Sequence, residues 1–189
     1  MKAASLLLAA ALLAGCSTTL VREKPERVRV ADGALLETTP LVEALLGFKG
    51  TRVQAANGAW KDQVFSAQCV LKGDGEMLTA VLLAPQMRLA TLTLKHPHTL
   101  RWDRAPQVPA SLDPEYVLFD LALVLLPTAT LAEKIGEDYR VDETADGRRR
   151  RVVDARGRLH SVRQVLPDGG VYFRNAAYGY ELTVKTIPQ

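Results

Sequence analysis

The sequence predicts an α+β fold in which a curved antiparallel sheet wraps around buried helices. Three observations carry that reading. Turn signals recur about every ten residues on both sides of the middle of the chain. The segments between them alternate apolar and polar side chains. The two β regions are separated by Tyr116–Leu126, a run so apolar that a helix built from it must be covered on every face.

The N-terminus reads as an export signal. Met1-Lys2 supplies one positive charge, and Leu6 to Leu13 is a short apolar run. That run is shorter than the roughly 20 residues a membrane-spanning helix needs. It ends in Leu13-Ala14-Gly15-Cys16, which resembles the lipobox of bacterial lipoproteins. Small residues before the cut let the chain lie extended in a peptidase groove, and the Cys16 thiol is the nucleophile for lipid attachment. Residues 1–15 are therefore expected to be a signal peptide and Cys16 the lipidation site. Ser17 stands where an Asp would favour inner-membrane retention, so the expected location is the periplasmic face of the outer membrane.

Removal of the leader leaves 174 of the 189 residues, enough for one domain with a sizeable core. The mature charge is close to neutral, with 23 basic residues against 21 acidic ones. Neither that balance nor the compartment suits a nucleic-acid binder. With Cys16 lipidated, Cys69 has no partner within the chain and is expected to be a buried small hydrophobe. Aromatic residues make up 6% of the chain, so the core is expected to be mainly Leu, Val and Ala.

Residues 16–33 are polar and lack a helical period, as befits a tether, and residues 34–189 are expected to form one domain. Thr39-Pro40 opens a short helix through Leu46, closed by Gly47. Asn57-Gly58 reads as a turn. From Trp60 the chain alternates, with Phe65, Ala67, Cys69 and Leu71 on one face. Gly73-Asp74-Gly75-Glu76 reads as a hairpin turn into Met77–Ala84, an apolar central strand. Pro85-Gln86 turns the chain into Arg88–Lys95, and Thr99–Arg104 follows the break at His96-Pro97-His98.

Asp113-Pro114-Glu115 is a helix start, with Pro at the first position and an acidic first turn. The apolar helix stops at Pro127, and a second helix over Ala129–Ile135 precedes Gly136. The tail returns to strands between turns at Asp146-Gly147, Arg156-Gly157, Asp168-Gly169-Gly170 and Tyr178-Gly179. The last strand places Tyr178, Tyr180, Leu182 and Val184 inward, and Glu181, Thr183 and Lys185 outward.

The run Leu118-Phe119-Asp120-Leu121-Ala122-Leu123-Val124-Leu125-Leu126-Pro127, with Leu131 after it, resembles the signature of an uncharacterised group of LolB-like bacterial lipoproteins. That group is often encoded beside aryl-polyene or related fatty-acid-like pathways. Asp120, Leu121, Leu123 and Pro127 match its pattern; Ala122 and Leu126 depart from it, where Gln and Trp are usual. Gly179-Tyr180-Glu181-Leu182 also looks like the family's ending. The resemblance covers roughly residues 45 to 187. It implies a LolA/LolB-like half-barrel whose helices close an apolar cavity. The residues expected to line that cavity are Leu82, Leu92, Trp102, Phe119, Asp120, Leu123, Leu126 and Tyr180.

No nucleophile elbow, Walker loop, zinc helix or Cys-x-x-Cys pair is present. His96-Pro97-His98 lacks the convergent ligands of a metal site and reads as a solvated turn. Asp120 within an apolar helix needs a partner, either backbone NH groups or an Arg; alternatively it meets a ligand headgroup. Arg148-Arg149-Arg150-Arg151 alternates sides on a strand and reads as a solvated face. The expected function is binding or transfer of a lipid, acyl or lipoprotein ligand by a monomer anchored to the membrane. The alternative is a structural or assembly lipoprotein. Neither catalysis nor a cofactor is expected.

Overall fold

A computed structural model describes residues 18–22, 27–29, 35–60, 63–97, 99–108 and 112–188. Cys16 and the expected signal peptide lie outside the described residues. The chain forms an open antiparallel sheet of eleven strands, a separate two-stranded sheet and, among the described residues, three helices.

The first edge strand is β1 (Thr18–Arg22), paired with β8 (Thr99–Arg104). The stretch read as a tether thus carries a strand of the main sheet. Its second strand, β2 (Arg27–Arg29), pairs with β3 (Leu35–Glu37) in the small sheet. Helix α1 (Thr38–Leu46) follows as expected and buries Leu41, Val42, Leu45 and Leu46. Four hairpins then lead through β4 (Lys49–Trp60), β5 (Gln63–Asp74), β6 (Met77–Ala84), β7 (Met87–Lys95) and β8. At the second hairpin Asp74 Oδ1 accepts from the backbone NH groups of Glu76 and Met77, and Gly75 takes φ +100°.

Asn57-Gly58 is not a turn. Both residues lie inside β4, opposite Thr183 and Leu182 of β13 (Tyr180–Thr186). A Cβ on Gly58 would strike the Glu181 carbonyl oxygen and come within 2.8 Å of the Leu182 Cβ. The glycine therefore serves close strand approach rather than chain reversal.

Helix α2 (Pro114–Leu125) starts at the predicted Asp113-Pro114 signal and ends before Pro127; α3 (Thr128–Lys134) follows. The tail forms β9 (Tyr139–Glu143), β10 (Arg149–Asp154), β11 (Leu159–Val165), β12 (Val171–Asn175) and β13. The strand order is β1-β8-β7-β6-β5-β4-β13-β12-β11-β10-β9. Strand β8 is next to one edge and β9 forms the other, so the helical insert joining them crosses the face of the sheet. The last strand begins two residues later than expected. Tyr178 lies in the turn before it and stacks on Tyr116 of α2, with ring centroids 3.6 Å apart.

The four-arginine run does not form a wholly solvated face. Arg149 and Arg151 are exposed, but Arg150 is buried at 6%. Its Nη1 donates to the carbonyls of Leu123 and Leu126 at 2.9 and 2.7 Å, which are C-terminal groups of α2. Its Nη2 bonds Glu143 of β9 at 3.1 Å. A cation here satisfies carbonyls that a helix end leaves without partners and complements the negative end of the helix dipole. His96 and Pro97 are exposed at the β7–β8 turn, and no cluster among the described residues could hold a metal ion. No helix among them is long and apolar enough to cross a membrane.

Arg150→Leu is expected to cost about 3 kcal/mol, because it strands two helix-end carbonyls and Glu143. Arg149→Leu, on the solvent side of the same strand, should stay within about 0.5 kcal/mol of the parent. Urea unfolding of both variants checks the contrast; equal midpoints would contradict the clamp.

Candidate functional site

Helix α2 is apolar on nearly all sides, yet its two long faces meet different surroundings. Leu118, Phe119, Ala122 and Leu123 are at most 2% exposed and belong to the packed core. Phe119 meets the His160 ring edge-on at 4.6 Å and lies near Tyr139. The other face, Val117, Asp120, Leu121 and Val124, repeats at helical spacing and fronts a cavity of about 220 Å³. Beneath it, β4 contributes Gln54, Ala56 and Trp60, β5 contributes Phe65, Cys69 and Leu71, and β6 contributes Leu82. Val171 and Phe173 of β12, with Tyr180, Leu182 and Val184 of β13, complete the floor.

Of the eight residues expected at a cavity, Leu82, Asp120 and Tyr180 line it. Phe119, Leu123 and Leu126 face the packed side of α2 instead. Leu92 and Trp102 belong to the same buried core. Periodicity could not make the choice. A helix with apolar residues on every side gives no moment to say which face meets a void. Trp60, Gln54 and Cys69 were readable only as members of alternating strands, and Asn175 carried no signal at all.

Asp120 is the polar centre of the wall. Protein surrounds it, and part of its surface stays accessible because it fronts the cavity. Its expected partner was a backbone NH or an arginine. The observed partner is the side chain of Asn175, whose Nδ2 donates to Asp120 Oδ1 at 3.1 Å. Asn175 is itself fully buried, and its Oδ1 accepts from the backbone NH of Tyr178 at 3.1 Å. Its Nδ2 also lies 3.4 Å from the Tyr180 hydroxyl.

Burial pushes the Asp120 carboxyl well above its ordinary value, and the Asn175 hydrogen bond opposes that only in part. Burial also pushes the Cys69 thiol up to about 11. Burial thus favours the neutral, hydrogen-bonding form of both groups in the cavity wall. A thiol in that state is a poor nucleophile.

The raised Asp120 value sets a pH dependence. The folded chain keeps a proton that the unfolded chain releases above about 3.9. Its contribution to stability is therefore present at acid pH and lost as the pH rises towards the raised folded value. Asp120→Asn keeps the acceptor for Asn175 without an ionisable group. The stability of Asp120→Asn relative to the parent should grow between pH 4 and pH 8 in urea titrations. A difference independent of pH would rule out a protonated Asp120.

No curated protein matches the chain. Among solved structures it is similar to a DUF1329 family protein from Desulfovibrio piger, at 8% identity and a TM-score of 0.37, over 79% of this chain and 90% of that one. Residues 51–188 match the family described as protein of unknown function (DUF3261), and the chain belongs to that family.

Proposed function

We propose that this protein is an outer-membrane lipoprotein of the periplasm, lipidated on Cys16, that binds or transfers an acyl, lipid or lipoprotein ligand in the cavity under α2. The cavity carries the reading. Its wall is aliphatic and aromatic apart from a few polar groups, the usual make-up of a small-molecule site. At about 30 Å³ per water, the void equals roughly seven waters. That suits one short stretch of acyl chain rather than a whole phospholipid. We read the sheet as a LolA/LolB-like half-barrel; bulges at Leu82/Leu83 and Val152/Val153 support its curling around the helices. On this reading the chain works as a monomer, without a cofactor and without catalysis, and does not bind nucleic acid.

A structural or assembly role is the second reading. It is favoured by the packed face of α2, where Leu118, Phe119, Ala122 and Leu123 are at most 2% exposed.

Two substitutions one residue apart separate the readings. Leu123→Trp overpacks a solid core and should cost about 1–3 kcal/mol. Val124→Trp fills the cavity, so the fold should survive while any bound acyl species is lost. Native mass spectrometry of protein purified from cells, with melting curves, reads both. Equal destabilisation by the two, with no ligand on the parent, would favour the structural role. For the anchor, Cys16→Ser should abolish palmitate labelling and outer-membrane recovery. Undiminished labelling of that variant would remove Cys16 as the lipid site.

A further inference from the structure

The cavity has a polar end, and the hydrogen-bond accounting there is lopsided. Asn175, Tyr180 and Trp60 are register partners across β12, β13 and β4, so their side chains stand in a row on one face. Asp120 closes the row from above through its bond with Asn175. The Trp60 Nε1–H is buried and has no acceptor among the described residues. The Tyr180 oxygen accepts from Asn175, which leaves its own O–H to donate elsewhere. Asp120 accepts through Oδ1, so in the neutral form that burial favours its proton sits on Oδ2.

Trp60, Tyr180 and Asp120 therefore line one end of the void as donors, and the buried Trp60 N–H has no acceptor among the described residues. Buried donors left unpaired are rare and costly. A ligand supplying only donors, such as an ammonium group, would leave Trp60 unsatisfied and repeat the mismatch at Tyr180. A ligand supplying an acceptor would satisfy the set.

We infer that the cavity takes the carbonyl end of an acyl ester or acyl acid, its oxygen held by Trp60, Tyr180 and Asp120 and its chain running toward Cys69 and Leu82. This inference rests on the acyl-binding reading above and names the group that the site recognises. It also gives the bound chain a direction along the floor, from Trp60 at the end of β4 toward the register partners Gln54, Cys69 and Leu82 of β4, β5 and β6.

The test uses the full chain in digitonin, whose rigid body is too bulky for this cavity. Three ten-carbon probes are titrated: methyl decanoate, decylamine and decane. Trp60 emission reports occupancy, with Trp102 as a constant background. Methyl decanoate should bind about tenfold more tightly than decylamine. Tyr180→Phe and, separately, Asp120→Leu should each weaken methyl decanoate about three- to tenfold relative to decane. Two variants guard against one of them failing to fold. Decylamine binding as tightly as the ester, or both variants leaving the ester-to-decane ratio unchanged, would overturn the inference while leaving acyl binding intact. If none of the probes shifts Trp60, both the inference and the acyl-binding reading fall.

Discussion

The arrangement depends on how one end of an apolar helix is held. Helix α2 has few polar side chains with which to fix its position, and apolar packing alone is indifferent to small slides along the axis. Arg150 supplies the missing direction. Its guanidinium reaches the Leu123 and Leu126 carbonyls and, on the other side, Glu143. One buried cation thus ties the C-terminus of α2 to the two strands at the far edge of the sheet. The Thr128 hydroxyl and then the Arg150 charge hold Glu143 below its ordinary carboxylate range, so Glu143 stays ionised at neutral pH. Near the other end of the helix, Tyr116 stacks on Tyr178.

A helix pinned at both ends spans the sheet face like a beam. On one side its residues sink into the packed core, where Phe119 meets Tyr139 and His160. On the other side the floor under it sets Ala56 among larger side chains such as Trp60, Phe65 and Tyr180. Gly58 is required by the approach of β13, and that same close approach brings Tyr180 beside Trp60. The cavity lies between the beam and the strands it crosses, lined by side chains from α2, β4, β5, β6, β12 and β13. Its polar end arises because Asn175 at the end of β12 serves two masters: the turn that carries Tyr178, and the buried carboxyl of Asp120.

Much of the secondary structure was legible. Turn chemistry marked the hairpins at Gly73–Glu76 and at Asp146-Gly147, and proline marked the start and end of α2, because these residues act within a few neighbours along the chain. Asn57-Gly58 misled for the same reason. The dipeptide is a strong local turn signal, but here Gly answers to a strand more than a hundred residues away. The strand in the expected tether was hidden because an edge strand needs only one partner, and its partner β8 is remote in sequence. Arg150 looked like its three neighbours in a basic run; only its placement opposite a helix end separates it from them.

The sequence by itself determined the α+β class, the order of strands and helices from β5 onward, and the need of Asp120 for a polar partner. It could do so because periodicity, turn residues and proline are local, and because a carboxylate within an apolar helix has nowhere polar to go. Only the tertiary structure decided that the partner is Asn175, that α2 turns Val117, Asp120, Leu121 and Val124 toward the void, and that Trp60 and Tyr180 share its wall. Those are matters of register between distant strands and of rotation about an axis, and a helix apolar all round carries no pattern from which its rotation can be read.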